Sequence, residues 1–483
     1  MQKVPAFGKS NVARRGNVAR SGSSSPRTIF WLLCVISFLN YMDRYVLSGS
    51  VNTVAHELHF SLDGVGYLSS AFLIVYTVFT LPLSIWADRA NRKDVIALSV
   101  AVWSVATAAT ALAGNYLTLF ISRMVLGIGE AGYFPAGTAL LSDCYSREKR
   151  SQVMGRWSGA QYIGILAGFG LGGALAGLFT GSWRIAFLLT GIPGLIVAFL
   201  VWRIREPRRN QADEEAGGNL ASADFADPGA VESALIQTQV PRIPFWTLCK
   251  QVMRIKSVIV ITFMQIFSFF VFSVCVTFLP TYLQQKDTLH LSSGLAGIYS
   301  GGVVVIGGLI GTLCSGYLAD YLERFHSGSR ILTSGIVLMV SAPLLAVSLS
   351  THNIYIFTPL FMIIAGLLCA FNGPSTAALQ DIVPYWLRSS AIGITLMIGH
   401  LFGDAVSPTI VGILATDFDP THGSHFATGM AGHDLALAII YTCVPAIFIA
   451  GLIGVFGARY MHQDVVDAEN AKPPVLIGEN VTV

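Results

Sequence analysis

Three sets of ionisable residues sit inside otherwise apolar stretches: Asp43 with Arg44, Arg123 with Glu130, and His400 with Asp404. A charged side chain at membrane depth costs about 3 kcal/mol, so such residues face a bundle interior or an aqueous cavity instead of hydrocarbon. Their types suggest proton handling. In general a carboxyl in a partly dry cavity holds its proton, and a neighbouring guanidinium releases it, so an acid beside a movable arginine takes up and gives up protons as the cavity changes. The spacings fit helices. Arg123 and Glu130 are seven residues apart, which puts them on one helix face about 10 Å apart along the axis. His400 and Asp404 stand at the i,i+4 spacing at which side chains meet. Asn40 lies one turn before Asp43 and Arg44. The competing reading is structural: the charges form buried ion pairs that fix helix packing, and His400 donates to a neighbouring backbone.

The elements that would position these residues are long apolar runs. Of 483 residues 53% are hydrophobic and 12% charged, with 48 glycines and a mean hydropathy of +0.62; a soluble chain would carry roughly twice that charged fraction. Candidate membrane spans fall at 28–50, 64–86, 94–113, 116–142, 150–179, 184–203, 257–284, 291–319, 330–349, 354–379, 388–416 and 433–460. The expected fold is therefore an all-α membrane protein of twelve transmembrane helices. Its expected parts are an N-terminal tail (1–27), a six-helix bundle (28–203), a linker (204–250), a second six-helix bundle (251–460) and a C-terminal tail (461–483). The linker carries Arg205-Glu206-Pro207-Arg208-Arg209, Asp213-Glu214-Glu215 and Gly217-Gly218, a flexible composition, with a short amphipathic helix expected near Phe245-Trp246-Thr247-Leu248.

Basic residues are lopsided. The N-terminal tail (Arg14, Arg15, Arg20, Arg27), the 86–94 loop (Arg89, Arg92, Lys93), the 143–150 loop (Arg147, Lys149, Arg150) and the linker share one side, whereas the other offers only Arg184 and Lys286. The positive-inside rule makes both termini cytoplasmic, in a multi-pass protein of the cell (inner) membrane. The basic N-terminus runs into an apolar stretch without a cleavage pattern, so it reads as a retained first helix. Asn480-Val481-Thr482 matches a glycosylation sequon, but on a tail expected to be cytoplasmic.

Several function classes find no support. A net charge of +3 without a basic groove argues against nucleic acid. Seven scattered cysteines (Cys34, Cys144, Cys249, Cys275, Cys314, Cys369, Cys443) show neither metal-ligand spacing nor a disulfide framework and read as small hydrophobes. Gly168-Phe169-Gly170-Leu171-Gly172-Gly173 resembles a dinucleotide fingerprint by spelling, yet no strand precedes it, so close helix packing is expected. No nucleophile or metal constellation stands at membrane depth, so neither an enzyme nor a cofactor is expected.

The halves repeat each other. Thr138-Ala139-Leu140-Leu141-Ser142-Asp143, Arg150-Ser151 and Gly155 recur 238 residues later as Thr376-Ala377-Ala378-Leu379-Gln380-Asp381, Arg388-Ser389 and Gly393. Ala87-Asp88 is echoed by Ala319-Asp320. Parallel six-span repeats resemble the major facilitator superfamily, whose halves rock about a midplane site. Asp88-Arg89-Ala90-Asn91-Arg92-Lys93 resembles that superfamily's loop between helices two and three, with Ser84 in place of its usual leading glycine. By that resemblance Asp88, Arg89, Arg92 and Asp320 are gating residues that latch helix ends.

A narrower likeness follows from Leu39-Asn40-Tyr41-Met42-Asp43-Arg44, Arg123-Met124-Val125-Leu126-Gly127-Ile128-Gly129-Glu130-Ala131 and Gly399-His400-Leu401-Phe402-Gly403-Asp404-Ala405-Val406-Ser407-Pro408. The first two resemble both spinster lipid transporters and organic anion:cation symporters; the third resembles the spinsters. The chain departs from the family pattern at Gly132, where a small hydroxyl residue is usual. The resemblance implies a secondary active transporter, coupled to protons, that moves a lysolipid or sphingoid-phosphate-like amphipath. It implies proton coupling by Asp43 and Glu130, and substrate binding by Arg44, Arg123, Asn40, His400 and Asp404. The expected partners are the bilayer, protons and the cargo, with the chain as a monomer. Phe263, Phe267, Phe270, Phe278 and Tyr282 are candidates for an apolar wall along the cargo's tail. A small organic anion as cargo, and a transporter-like sensor, are the alternatives.

Overall fold

The computed structural model describes residues 24–145, 147–208, 211–212, 245–323, 328–384, 387–421 and 424–471. Most of both tails, most of the linker and the sequon at Asn480 lie outside the described residues. Among the described residues, twelve helices are long and apolar enough to cross a membrane: α1 (Pro26–Leu58), α2 (Leu62–Ala87), α3 (Arg92–Thr110), α4 (Tyr116–Cys144), α5 (Gln152–Ala176), α6 (Trp183–Arg203), α7 (Lys256–Gln284), α8 (Ser293–Glu323), α9 (Ser329–Ser350), α10 (Ile354–Asp381), α11 (Ser390–Phe418) and α12 (Gly432–Ala468). In hydrocarbon no water satisfies a backbone amide, so each crossing closes its hydrogen bonds within itself. Six helices form each half. Twelve crossings return the chain to its starting side, here termed the basic face; the opposite side is termed the bare face. The expected amphipathic helix is present as Phe245–Val252, with Trp246 81% exposed, as suits a ring that anchors in headgroups.

Each expected span is helical in the structure, but the first and the last run farther, the last to Ala468. The stretch 51–58 was expected to be loop; instead Val51, Val54, Ala55 and Leu58 continue the buried stripe of α1 at helical spacing, and Asn52, Thr53, His56 and Glu57 occupy its wet side. Two helices, α4 and α10, are interrupted just ahead of a proline. In α4 the break is at Gly132 and in α10 at Phe371, in each case three residues before a proline (Pro135 and Pro374) that cannot donate to the carbonyl four residues back.

Glycines decide how closely the helices approach. Gly164, Gly168 and Gly172 of α5 lie against the carbonyls of Phe38, Met42 and Val46 on α1, where any side chain would collide, whereas Gly170 faces open space. Gly173 meets Ser293, and Gly297 meets Phe169, sealing α5 against α8 between the halves. On the other side of the bundle Gly66 of α2 lies against Pro408 and Gly412 of α11 against Leu62, with Thr409 Oγ1 hydrogen-bonded to Ser70 Oγ at 2.8 Å. The contacts between the halves lie toward the bare face. Toward the basic face, Gly155 and Gly159, which continue the α8-facing side of α5, and Gly316 and Gly393 have nothing within 4 Å of where a Cβ would lie. The halves are thus sealed at the bare face and spread toward the basic one.

Candidate functional site

Successive residues on a helix point about 100° apart, and this separates Asp43 from Arg44. Arg44 reaches α4, where its Nη2 and Nε donate to Glu130 Oε2 at 2.6 and 3.2 Å. Three rings surround its guanidinium, Tyr41 at 5.3 Å, Phe72 at 5.0 Å and Tyr76 at 5.0 Å, an arrangement that favours a cation over ring faces. Asp43 turns instead toward α3 and α6. Thr107 Oγ1 donates to its Oδ2 at 3.3 Å, and Thr190 lies close by.

Arg123 is expected to share a helix face with Glu130, and it does, but the two are not ion-paired. The Arg123 guanidinium stacks 5.2 Å from the Phe187 ring, with Asp43 and Glu130 as its electrostatic neighbours. Its Nε and Nη2 are buried without a hydrogen-bond partner among the described residues. Two such donors are costly to leave unmet. Asn40 is buried beside Glu130.

The C-terminal half contributes through an irregularity in α11. The backbone N–H of Ala405 donates to the carbonyl of His400 at 3.0 Å, five residues back, so His400–Asp404 forms a π-helical turn, a feature frequent at functional sites. Gly403 allows it by lying against the Ile266 carbonyl of α7. The turn presents Asp404 to His400, whose Nδ1 lies 2.9 Å from Asp404 Oδ2 while its ring stacks on Phe269 at 4.8 Å. Ser273 donates to the Asp404 carbonyl at 3.1 Å.

These groups meet at a small cavity of about 120 Å³ between the halves, lined by Arg44, Arg123, Ser48, Ser69, Thr277 and Asp404 among others. Arg44, Arg123 and Asp404 are thus brought together. Glu130, Asn40 and Asp43 stand behind that lining, and His400 stands beyond Asp404. A larger cavity of about 1260 Å³ indents the bare face and is lined by His56, Glu57, Asp63 and Lys286.

The aromatic wall expected along the seventh span is not one surface. Phe278 and Tyr282 are buried in the core, Tyr282 donating to the Leu349 carbonyl at 2.9 Å, whereas Phe263 is 48% exposed. The rings around the Arg44 guanidinium are Tyr41, Phe72 and Tyr76. Their i,i+4 spacing on α1 (Tyr41, Tyr45) and α2 (Phe72, Tyr76) was the available signal. At Gly132 the space for a side chain is taken by the Ser99 hydroxyl, 2.5 Å from where a Cβ would lie, so a hydroxyl reaches that point from α3.

At the basic face Arg92 pairs with Asp143 and donates to the Ala139 carbonyl at 3.2 Å. Glu206 accepts from the amides of Arg92 and Lys93, both at 3.1 Å. The side chains of Asp88 and Asp320 lie outside the described residues. Arg330 pairs with Asp381 in the second half, a pair that the 238-residue repeat could have revealed.

Residues 33–408 match the family model of the Major Facilitator Superfamily. The chain belongs to that superfamily. Its curated relatives include spinster homolog 1 of Xenopus tropicalis, 24% identical over 460 residues that cover 92% of this chain and 82% of the relative. The spinster protein of Drosophila melanogaster is 26% identical over 400 residues, covering 80% and 61%. Among solved structures, a bacterial homologue of the human lysosomal transporter Spinster, in an inward-facing and unoccupied conformation, superposes with a TM-score of 0.78 at 21% identity, covering 92% of this chain and 99% of that one. This superfamily member is a multi-pass transporter similar to the spinster proteins, and its two halves enclose the cavity that holds Arg44, Arg123 and Asp404.

Proposed function

We propose that this transporter moves an anionic amphipath of the lysolipid or sphingoid-phosphate kind by alternating access, coupled to protons through Asp43 and Glu130. The observation that carries the reading is the Arg44–Glu130 pair: the arginine side chain is 20% exposed at the small cavity, and the acid side chain behind it is fully buried. An anionic headgroup that engages Arg44 and Arg123 would draw Arg44 away from Glu130, which then has reason to take a proton. Binding and protonation become linked. His400, Asp404 and Asn40 would complete the polar lining, and Asp88, Arg89, Arg92 and Asp320 would hold the gate at the basic face. The lopsided Lys and Arg content supports a cytoplasmic basic face, with both termini there and the protein in the cell membrane.

A second reading has one observation in its favour. A cavity of about 120 Å³ holds a headgroup or a small organic anion, but not an acyl tail. The two cargoes separate in proteoliposomes with an imposed pH gradient, where uptake of a labelled lysolipid is challenged with small carboxylates. Competition by other lysolipids and not by carboxylates supports the lipid reading. The reverse pattern sinks it, and uptake indifferent to the gradient sinks the coupling.

A further inference from the structure

We propose that Asp419, His425 and Asp434 form a binding site for a divalent transition-metal ion of the zinc class at the bare face, apart from the polar site between the halves. The three residues come from the connection between α11 and α12. Asp419 directly follows the end of α11, His425 sits on the short helix Ser424–Thr428, and Asp434 lies in the first turn of α12. Their spacing in sequence spells no metal motif. Folding brings one ligand atom from each within 4.8 Å of the others.

The distances suit a small ion. His425 Nδ1 lies 2.9 Å from Asp434 Oδ2 and 3.3 Å from Asp419 Oδ1. Tetrahedral zinc, with bonds of about 2.0 to 2.2 Å to nitrogen and oxygen, spaces its ligand atoms roughly 3.3 Å apart. The charge asks for a cation. Asp419 and Asp434 are 2% and 6% exposed, and buried carboxylates that converge on one point are costly unless a positive charge stands between them.

The ligands are also held in place by their neighbours, as metal ligands characteristically are. Asp419 Oδ1 accepts from the Thr421 amide at 2.8 Å and from its hydroxyl at 2.5 Å, and Asp419 Oδ2 accepts from the His425 amide at 3.0 Å. Asp287, in the loop after α7, accepts from the amides of Gly432 and His433 at 3.1 and 2.8 Å and so fixes the turn that carries Asp434. The His425 side chain is 32% exposed, which leaves a side open for solvent as a further ligand. One imidazole with two carboxylates suits zinc or cobalt, whereas calcium and magnesium prefer oxygen ligands alone. Phe426, Thr428 and Gly429 of the same connection line the large bare-face cavity, so the site opens to the compartment that cavity faces.

The test uses the full-length protein, stripped with a chelator and titrated with cobalt(II) alone, then with zinc as competitor. One equivalent of cobalt should give the visible bands of a tetrahedral site, and zinc should abolish them. His425→Ala and Asp434→Asn should each weaken cobalt binding at least about tenfold, while His433→Ala leaves it unchanged and Asp434→Glu retains it. Thermal melting of each variant without metal separates lost binding from lost folding. Unchanged cobalt affinity in the His425→Ala, Asp434→Asn double variant would overturn the proposal. So would a wild-type protein that binds neither metal at neutral pH.

Discussion

Arg330 pairs with Asp381 at the place where, 238 residues earlier, Arg92 pairs with Asp143. Each pair ties the start of the third helix of its half to the end of the fourth. Asp143 is 4% exposed and Asp381 40%, so the two pairs should differ in worth. Removing one partner of a buried pair strands the other charge, at a cost of about 3 kcal/mol, whereas an exposed pair contributes under about 1 kcal/mol. Arg92→Ala should therefore lower the melting temperature of the detergent-purified protein clearly more than Arg330→Ala. Equal losses would contradict the ranking.

The seal at the bare face rests on glycine. A side chain at residue 66 would collide with the Pro408 carbonyl, so Gly66→Leu should keep α2 and α11 apart and hold the bare face open. A single cysteine at Ser69, which lines the small cavity, reports this in an otherwise cysteine-free chain. Its labelling by an impermeant thiol reagent from the bare side should rise several-fold in the Gly66→Leu protein. No change would mean that the α5–α8 contact closes that face alone.

The twelve spans were legible because each is a long apolar run, but the true end of α1 was not, since polar residues that line a cavity look like loop. The breaks in α4 and α10 had a signal in Pro135 and Pro374. The π-helical turn had none, because it depends on Gly403 meeting the α7 backbone. Which residues could carry charge at depth was plain from their types. Their partners were not: Asp43 and Arg44 are adjacent in sequence yet face different helices, and only the packing of α1 against α3, α4 and α6 sets Asp43 beside Thr107 and Arg44 against Glu130.

Orientation is open to a direct check. With cytoplasmic termini, a single cysteine at Glu215 should label only from the cytoplasmic side and one at His425 only from the other. Labelling of both from one side would overturn the assignment.

Arg44 should not tolerate its usual replacement. Lysine keeps the charge but loses the planar fork that reaches Glu130 while lying among Tyr41, Phe72 and Tyr76. Arg44→Lys should weaken binding of an anionic amphipath, and Arg44→Ala should weaken it further, as read by equilibrium binding. Wild-type affinity in both variants would remove Arg44 from the substrate site.

The coupling role of the acids is the most demanding test. Glu130 is fully buried, its Oε2 is held by Arg44, and its Oε1 has no hydrogen-bond partner among the described residues. An amide at that position keeps the shape and can still accept from Arg44, but it cannot exchange a proton. Glu130→Gln should therefore abolish uptake driven by a pH gradient while substrate binding survives. Asp43→Asn should do the same, since Thr107 can still donate to the amide oxygen. If the acids are structural instead, the same substitutions lower the melting temperature and leave the remaining flux as gradient-dependent as before. Proteoliposome uptake, measured with and without the gradient for each variant, distinguishes the two. Full gradient dependence in the Asp43→Asn, Glu130→Gln double variant would return both acids to a packing role.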